Sequence, residues 1–280
     1  MGYGIALYSV IPVRTEAREG AEQSTQILFG ETFDIMEQIP RWNRVKLHLD
    51  GQEGWIDAKM CTPMKDKEYR EYKKAYSAAA TVIFPMAYAV SENNGQTIPL
   101  TAGTKLTHYQ SQITNGTTIG RFEVLGVGFR IDPSMVATAP LPMNQEKLLQ
   151  TVRFFLNIPY LWGGKNAMGM DCSGFTQIIL SLFGVSLPRN ASEQITQGSV
   201  IEHLSQAQAG DLVFFGHKEP TANSQEPMAI THVGIVIDPE RVIHCSGRVK
   251  VEKLDETGIY SAEQGAYTHH LAGIRRAFTR

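Results

Sequence analysis

The spacing of apolar residues divides this chain into parts that must fold differently. Up to about residue 137, short stretches alternate apolar with polar positions, and glycine-containing turns separate them. This period of two is typical of strands, whereas the charge-dense stretch 65–79 has the composition of a helix. We therefore predict a small β-barrel over 1–64, a solvated linker helix over 65–79 and a second, more degenerate barrel over 80–137.

The remaining part, 138–280, changes to a helical pattern and then returns to strands. Apolar side chains recur at helical spacing over 144–158 and 173–183, and Asn144 is placed to cap the first of these helices. Three strand-like runs follow, beginning with Asp211-Leu-Val-Phe-Phe. Because the helices precede consecutive strands without β-α-β alternation, we predict an α+β domain with an antiparallel sheet. The predicted protein is thus multidomain, with two small all-β barrels followed by an α+β domain.

Charge and apolar content exclude several classes of protein. The 280 residues carry 26 basic and 28 acidic side chains, a net charge of -2, with no basic arm. Binding to the phosphates of a nucleic acid needs a local excess of Lys and Arg, so we expect no nucleic-acid partner. No apolar run reaches the roughly 18 residues of a membrane span, and we expect none.

The first residues bear on the location of the protein, and the cysteines bear on its disulfide content. The first residues lack a basic segment followed by a long apolar stretch, which is the pattern of a secretory signal. The sequence as given predicts a cytoplasmic protein, or a periplasmic or extracellular one if a leader was removed.

Cys61, Cys172 and Cys245 are odd in number and widely spaced, which is not typical of a disulfide framework. At least one free thiol and a monomeric chain are expected.

Cys172 lies where a thiol can act as a nucleophile. It follows the glycine-rich stretch Trp162-Gly-Gly-Lys-Asn-Ala-Met-Gly-Met-Asp and stands at the start of the second predicted helix. The N–H groups and the positive dipole end of a helix favour a thiolate and can hold an oxyanion. Cys172 is therefore a candidate nucleophile with a lowered pKa. The alternative is a buried structural thiol, which is the common state of a free cysteine.

Two histidines lie on neighbouring strands that we expect to pair as a hairpin. On the strand 231–237, His232 shares a face with Gly234, and the other face is uniformly aliphatic and belongs to a core. We expect His232 on the more open face. On the next strand, His244 points away from the side of Cys245. If the strands pair, the two histidines can serve as a base and the group that orients it; the alternative is two ordinary strand histidines.

The other cysteines and histidines carry weaker signals. Cys245 is expected in the core, and Cys61 is expected to be structural. The spacing of Cys172, His232, His244 and Cys245 matches no common zinc pattern, so we expect no metal and no other cofactor. Four further histidines fall in predicted loops or near the C-terminus and receive no role: His203, His217, His269 and His270.

Several short motifs occur in a fixed order along the chain. In the last part they are Tyr160-Leu-Trp-Gly-Gly, Asp171-Cys-Ser-Gly-Phe, Leu187-Pro-Arg, Gly210-Asp-Leu-Val-Phe-Phe, Thr231-His-Val-Gly-Ile and Ile243-His-Cys. They closely resemble the NlpC-type cell-wall cysteine peptidases. The first part looks like bacterial SH3-like domains, on the motifs Val13-Arg-Thr-Glu, Leu28-Phe-Gly-Glu and Gly51-Gln-Glu-Gly-Trp-Ile. The resemblance implies a papain-like α+β fold, a catalytic triad of Cys172, His232 and His244, and Tyr160 near the oxyanion.

The three-part layout resembles a subgroup that cleaves γ-D-glutamyl-L-diamino acid bonds in murein peptides with a free N-terminal L-alanine. In that subgroup the first SH3-like domain walls off the cleft and acidic groups bind the substrate amine. The matching positions here are Glu31, Asp171 and Ser173. Two positions depart from the family pattern: Pro-Arg-Asp reads Pro-Arg-Asn190-Ala191, and Gln52 replaces an aromatic residue. The opposite interpretation is that Glu31 is a solvated turn residue.

Aromatic residues add candidates for contacts with the substrate. Trp55 and Trp42 of the first barrel could line a ligand groove, with packing in a core or rim as the alternative, and Trp162 and Trp55 are expected to bind substrate. We expect a cysteine peptidase that hydrolyses the γ-D-glutamyl-L-diamino acid bond of murein peptides in cell-wall peptide recycling. The alternatives are a non-catalytic wall-binding or scaffold protein, and a general peptidoglycan hydrolase or amidase of the same fold. The sequence does not choose between diaminopimelate and lysine in the substrate.

Overall fold

The chain divides into two compact units in a computed structural model that describes residues 2–114, 116–217 and 228–278. The first unit comprises Met1–Pro140 and Trp162–Ala167, and the second comprises Leu141–Leu161 and Met168–Arg280. Met1 and Arg280, the outer ends of the predicted first and last domains, lie outside the described residues. The domain boundaries drawn from the sequence stay predictions.

The first unit consists mainly of short strands. These are β1 (Gly2–Ile5), β2 (Val10–Arg14), β3 (Gln23–Leu28), β4 (Thr32–Ile39), β5 (Trp42–Leu47), β6 (Glu53–Asp57), β7 (Thr62–Met64), β8 (Ala80–Val82), β9 (Met86–Ser91), β10 (Thr97–Thr101), β11 (Lys105–Leu106), β12 (Gln110–Thr114), β13 (Thr117–Val124), β14 (Val127–Ile131), β15 (Val136–Ala137) and β16 (Lys165–Asn166). The helix α1 (Asp66–Ser77) lies between β7 and β8, and two short 3-10 turns are formed by Ala58–Met60 and Pro133–Met135.

The first seven strands form a small β-barrel from one antiparallel sheet, in the order β3-β2-β6-β5-β4-β1-β7. The period of two in the sequence produces its core. In β2, for example, Ile11 and Val13 are fully buried while their neighbours are partly exposed. Phe33, Val45 and Ile56 from β4, β5 and β6 join them in the same core. Each strand thus gives alternate side chains to the interior.

The helix α1 is not the solvated linker that its charges suggest. Tyr69 and Tyr72 are buried in a core that also holds Phe29, and Tyr76 packs against that core. The three tyrosines recur at intervals of three and four residues, so they lie on one face of the helix while the charged residues occupy the other. The charged residues on one face predicted a solvated helix, but the tyrosines on the opposite face bury it against the core.

The second group of strands in this unit forms two antiparallel sheets, of five strands (β10-β9-β14-β13-β12) and three strands (β11-β8-β15). Phe122 and Phe129 are paired across β13 and β14, and their rings stack with centroids 5.0 Å apart. The ring of Phe29 meets both of them edge-on. Aromatic packing therefore joins this group to the core that α1 completes.

The second unit contains helices followed by strands, as its sequence pattern predicts. Its helices are α2 (Gln145–Val152), α3 (Cys172–Leu182) and α4 (Ala191–Gln194), with 3-10 turns at Arg153–Phe155 and Leu204–Gln206. Its strands are β17 (Gly169–Met170), β18 (Ser199–Val200), β19 (Leu212–His217), β20 (Ala229–Asp238), β21 (Arg241–Ser246), β22 (Arg248–Asp255), β23 (Gly258–Ser261) and β24 (Ala266–Arg276). No helix in the described part of the chain is long and apolar enough to cross a membrane.

The helix ends follow the signals in the sequence. Asn144 caps α2 by accepting a hydrogen bond from the Lys147 N–H at 2.9 Å, although the helix continues only to Val152 before a 3-10 turn. Helix α3 ends at Leu182 with Phe183 as its C-cap, and Gly184 takes a φ of 82° that favours glycine. The apolar face of α3 is fully buried, as its spacing predicts.

The antiparallel sheet of the second unit is confirmed, in the order β18-β24-β19-β20-β21-β22-β23. Strand β24 pairs with β19 and also with β23, so six strands close on themselves. The enclosed face carries a core that includes Phe215, Val236, Val242 and Leu254. Closure of the six strands removes their exposed edges and encloses one face of the sheet. That enclosed face is the one on which both candidate histidines lie.

Candidate active site

The nucleophile candidate opens helix α3. Asp171 is the N-cap residue: its Oδ1 accepts a hydrogen bond from the Gly174 N–H at 2.7 Å, and Cys172 is the first helical residue. The cap satisfies one of the N–H groups that a helix leaves unpaired at its start. The predicted position of Cys172 at the N-terminus of a helix is therefore confirmed, and its side chain is buried.

A buried arginine holds this turn in place. Both terminal nitrogens of the Arg189 guanidinium donate to Asp171, Nη1 to Oδ1 at 3.0 Å and Nη2 to Oδ2 at 2.6 Å, and Nη1 also donates to the Ser173 hydroxyl at 2.9 Å. Arg189 is only 1 % exposed. Such a bidentate pair of arginine and carboxylate is strong and directional. The motif Leu187-Pro-Arg, which the sequence offered without a role, therefore fixes the residues on both sides of Cys172.

The thiol is held neutral in the free protein, contrary to the lowered pKa expected from the helix N-terminus. Burial raises the pKa of Cys172 to about 11, and the Asp171 carboxylate adds to the rise. Hydrogen bonds from the backbone N–H groups of Val233 and Ser173 oppose it, as does Arg189. Desolvation disfavours the thiolate more than the helix end favours it. A nucleophilic Cys172 must therefore lose its proton to a base during the reaction.

The two histidines form a hydrogen-bonded pair on one face of the predicted hairpin. Strands β20 and β21 pair antiparallel with Gly234 opposite His244, which confirms the hairpin. The distance from His232 Nε2 to His244 Nδ1 is 2.8 Å. A Cβ added at Gly234 would lie 2.5 Å from the Cγ2 atom of Val242 and 3.1 Å from the Cβ atom of His244. Glycine at this position thus leaves the space that His244 occupies.

The expectation of an open face for His232 is wrong. His232 is 5 % exposed and His244 is fully buried, because the closed sheet turns this face inward. Burial lowers the pKa of His232 well below its usual value, with His244 and His269 adding to the effect. It also lowers the pKa of His244, against the opposing influence of Glu252. Both rings are therefore neutral near pH 7.

Two residues that the sequence interpretation missed stand behind this pair. Glu252 Oε2 lies 2.9 Å from His244 Nε2 and 3.1 Å from Lys250 Nζ. On β22, Lys250 is opposite His244 and Glu252 is opposite Val242, so both share the face of His244. The signal was present in the sequence, because the tight turn at Gly247 sets the register of β21 and β22.

His269 also joins the pair, although the sequence interpretation gave it no role. It lies within β24 and not in a loop, as does His270, and its ring centroid is 4.2 Å from that of His232. Burial and the neighbouring His244 lower the pKa of His269 to about 4. Only the closure of the sheet by β24 brings this residue to the histidine pair, and no local pattern indicates that closure.

Tyr160 lies near the start of α3, whereas Cys245 and Cys61 have structural positions. Tyr160 forms an isolated parallel β-bridge with Met170, which places it near the start of α3, and burial together with the Asp171 carboxylate raises its pKa. Cys245 is fully buried and its thiol donates to the Met170 carbonyl at 3.1 Å, as expected for a core residue. Cys61 packs against the core of the first barrel. The described residues hold no cluster of three or more His, Cys, Asp or Glu side chains arranged for a metal ion.

Glu31, the acidic candidate in the first unit, forms a buried ion pair within that unit. It is 5 % exposed, so the alternative of a solvated turn residue is wrong. Lys165 Nζ lies 3.2 Å from both of its carboxylate oxygens, and the Leu28 N–H donates to Oε2 at 2.9 Å. Gln26 Oε1 accepts the N–H of Lys165 at 2.9 Å and the amide of Asn166 at 2.7 Å. Burial raises the pKa of Glu31 and the Lys165 charge opposes the rise.

The two tryptophan candidates belong to the first unit as well. Trp162 is 58 % exposed, and its carbonyl accepts a hydrogen bond from Gln23 Nε2 at 3.0 Å. Gly163 follows with a φ of 71°, and a Cβ there would lie 2.4 Å from the Gln23 carbonyl oxygen. Trp55 lies in β6 and is partly buried. An exposed indole suits contact with a ligand, and the binding roles of Trp55 and Trp162 stay predictions.

Comparison with known proteins identifies two domains. Residues 157–271 match the NlpC/P60 family, and residues 13–59 match the bacterial dipeptidyl-peptidase SH3 domain. A protein of Bacillus subtilis (strain 168) named γ-D-glutamyl-L-lysine dipeptidyl-peptidase is 29 % identical over 266 residues, which cover 91 % of this chain and 81 % of that protein. A protein of the same name from Bacillus cereus is 26 % identical and covers 90 % and 74 %.

Solved structures show a common fold over the length of the chain. The crystal structure of an NlpC/P60 family protein from Bacillus cereus superposes with a TM-score of 0.80 and covers 98 % of this chain and 99 % of that chain at 20 % identity. An NlpC/P60 endopeptidase from Photobacterium damselae subsp. piscicida superposes with a TM-score of 0.68 and covers 97 % of this chain and 72 % of that chain at 16 % identity. At these identities the likeness concerns the fold alone.

Proposed function

Because this chain contains an NlpC/P60 family domain preceded by a bacterial SH3 domain, we propose that it is a cysteine endopeptidase of peptidoglycan peptides. The bond we assign is the γ-D-glutamyl-L-diamino acid bond of murein peptides. The proposal is carried by the match over 91 % of the chain to a relative named for cleavage at γ-D-glutamyl-L-lysine. The complete set of Cys172, His232 and His244 supports catalysis over a role as a non-catalytic wall-binding protein.

We also propose the finer arrangement of the fold. The strands β1–β7 and β8–β15 are two SH3-like barrels joined by α1, and the second unit has a papain-like arrangement with the nucleophile at the start of α3. Strands β1–β7 enclose one core of their own, and β8–β15 share a second core with α1, Ile5, Phe29 and Met64, which supports this division.

The mechanism begins with a neutral thiol and a neutral imidazole. As the sulfur of Cys172 attacks the γ-carbonyl carbon of D-glutamate, His232 takes the thiol proton and a tetrahedral intermediate forms. His232 then gives that proton to the amine of the diamino acid, the C–N bond breaks, the amine leaves and a thioester remains. A water molecule hydrolyses the thioester with His232 again acting as base. His244 orients the His232 ring throughout, as the bond of 2.8 Å between them suggests.

Stabilisation of the oxyanion falls to groups beside the nucleophile. The backbone N–H of Cys172 lies in the first turn of α3, where N–H groups have no partner within the helix. The Tyr160 hydroxyl, whose raised pKa keeps it protonated, is the second proposed donor. Preorganised donors of this kind contribute most where the developing charge is shielded from water.

We propose two alternatives for how the enzyme treats the N-terminus of its substrate. In the first, the enzyme requires a free N-terminal L-alanine, with Glu31 or Asp171 as the acidic residue that binds the amine, and it acts in peptide recycling. In the second, it is a general peptidoglycan hydrolase that ignores this amine. The second candidate is favoured by one observation, since Glu31 and Asp171 already have the internal cations Lys165 and Arg189.

The decisive experiment uses a defined peptide, L-Ala-γ-D-Glu joined to L-lysine or to diaminopimelate, with products identified by mass spectrometry. Release of the L-Ala-γ-D-Glu dipeptide is expected, and the two peptides together reveal the preferred diamino acid. Cys172→Ala should abolish release, whereas Cys245→Ala, a buried thiol on the other face of β21, should retain it. Turnover by purified Cys172→Ala protein would reject the nucleophile.

The N-terminal requirement is tested with the same peptide in its N-acetylated form. If a buried charge pair holds the amine, acetylation should lower kcat/KM by about 30-fold, which corresponds to roughly 2 kcal/mol. Glu31→Gln should remove most of that difference. Equal kcat/KM values for both peptides in the wild type would select the general hydrolase.

A further inference from the structure

Three buried side chains of the second unit form a continuous hydrogen-bonded line. Glu252 Oε2 is 2.9 Å from His244 Nε2, and His244 Nδ1 is 2.8 Å from His232 Nε2. The Glu252 side chain is 7 % exposed and that of His244 is fully buried. The line therefore runs through the enclosed face of the sheet, where water competes little for these bonds.

The positions of the protons along this line follow from the carboxylate. Burial raises the pKa of Glu252, but hydrogen bonds from His244 and Lys250 outweigh it and bring the pKa to about 2, so the group is ionised. An ionised carboxylate only accepts hydrogen bonds, so Nε2 of His244 must donate. A neutral imidazole carries one N–H, which leaves Nδ1 of His244 as an acceptor. His232 must then donate from Nε2, and its Nδ1 keeps a free lone pair.

We infer that Glu252 is a positioning residue that fixes the tautomers of His244 and His232, so that Nδ1 of His232 is the base. The inference rests on the proposed cysteine peptidase activity. Without the carboxylate, either nitrogen of His244 can carry the proton. If Nδ1 of His244 carries it, Nε2 of His232 must accept, and the proton of His232 then lies on Nδ1, the nitrogen that should act as the base. The carboxylate also favours the positive charge that His232 acquires when it takes the thiol proton.

Other titratable groups lie around this line and contribute to the pH profile. Lys250 from β22 shares Oε2 of Glu252 at 3.1 Å, and Glu263 lies 4.0 Å from Lys250. His269 from β24 lies against the ring of His232. Cys172 of α3 meets the backbone N–H of Val233, next to His232. Of these groups, Glu263 provides a matched control, because it also neighbours Lys250 but is 56 % exposed and bonds to Arg248 instead of a histidine.

The experiment compares Glu252→Gln, Glu252→Asp and Glu263→Gln with the wild type. Nitrogen-15 NMR of labelled histidine side chains near pH 7.5 reports which ring nitrogen carries the proton. We expect Nε2–H for both His232 and His244 in the wild type and in Glu263→Gln. An amide can donate or accept, so Glu252→Gln should populate the Nδ1–H form of His244, and Glu252→Asp should restore the Nε2–H form.

The same variants should differ in rate more than in substrate binding. Loss of a partner that orients a metal-ligating histidine typically costs about 10- to 100-fold, and we expect a loss of similar size in kcat for Glu252→Gln, with KM within about twofold. Glu252→Asp should regain part of the kcat, and Glu263→Gln should match the wild type. Because the carboxylate favours the imidazolium, its removal should also move the acid limb of the kcat/KM profile to lower pH.

Two results would overturn the inference. One is an Nδ1–H form of His244 in the wild type, which can be measured even if Glu252→Gln fails to fold. The other is a folded Glu252→Gln protein with unchanged tautomers and a kcat within twofold of the wild type. The NMR measurement uses the free enzyme, so it is independent of the substrate. A wild type with the expected tautomers that cleaves no murein peptide would reject the proposed function alone.

Discussion

Replacement of Lys165 by methionine should destabilise the first unit strongly and in a pH-dependent way. The pair of Lys165 and Glu31 is buried, with exposed side-chain fractions of 1 % and 6 %. Lys165→Met keeps the length and apolar stem of the side chain but leaves Glu31 as a buried carboxylate without its cation. Breaking a buried pair in this way typically costs about 3–5 kcal/mol. We expect a loss of that size in the free energy of unfolding at pH 7.

The pH dependence follows from the direction of the Glu31 pKa. Burial already raises it, and loss of the opposing lysine charge raises it further. The folded variant then keeps a proton on Glu31 at pH values where the unfolded chain has lost it. The penalty should therefore be full at neutral pH, shrink as the pH falls and vanish below the unfolded pKa of about 4.3.

Tryptophan fluorescence during urea unfolding is the appropriate assay. The chain has three tryptophans, and Trp42, Trp55 and Trp162 all belong to the first unit, so their emission reports on that unit. Lys46→Met is the matched control, because Lys46 pairs with Glu53 at 3.5 Å on the exposed surface of the same unit. Exposed pairs contribute about 0–1 kcal/mol. A Lys165→Met loss no larger than that of Lys46→Met at pH 7 would refute the reasoning.

Two further predictions concern the nucleophile. Arg189→Lys should lower kcat by roughly tenfold or more, because a lysine cannot make the two-pronged bond that holds Asp171 and Ser173; unchanged turnover would show that the turn keeps its geometry unaided. Alkylation of Cys172 by iodoacetamide, followed by mass spectrometry of its peptide, should accelerate about tenfold per pH unit from pH 7 to 10, because burial raises its pKa to about 11. A plateau below pH 8 would indicate a preformed thiolate instead.

Patterns within single elements were predictable from the sequence. The cap at Asn144, the end of α3 shortly before Gly184 and the start of that helix at Cys172 depend on a few neighbouring residues. The pairing of His232 and His244 was predictable for the same reason, because the two strands are adjacent in the chain and side chains alternate along each of them. Cell-wall peptidase motifs were recognisable because they are concentrated in such local segments.

Protonation states were not predictable, because they depend on what surrounds a group in three dimensions. The position of Cys172 at a helix N-terminus suggests a low pKa, yet burial outweighs it. Glu31 has the sequence context of a surface turn, yet it is buried against Lys165, which is 134 residues away in the chain. Desolvation depends on every neighbouring atom, so no local pattern contains it.

The sequence by itself determined the local elements, the motifs and the face of each strand on which a side chain lies. The tertiary structure alone decided that β24 closes the sheet, that this closure buries His232 and His244, and that His269 lies beside them. Alternation along a strand distinguishes two faces but does not indicate which face becomes the inside. That choice depends on which distant strands pair, since burial is a property of the whole packed unit and not of any one segment.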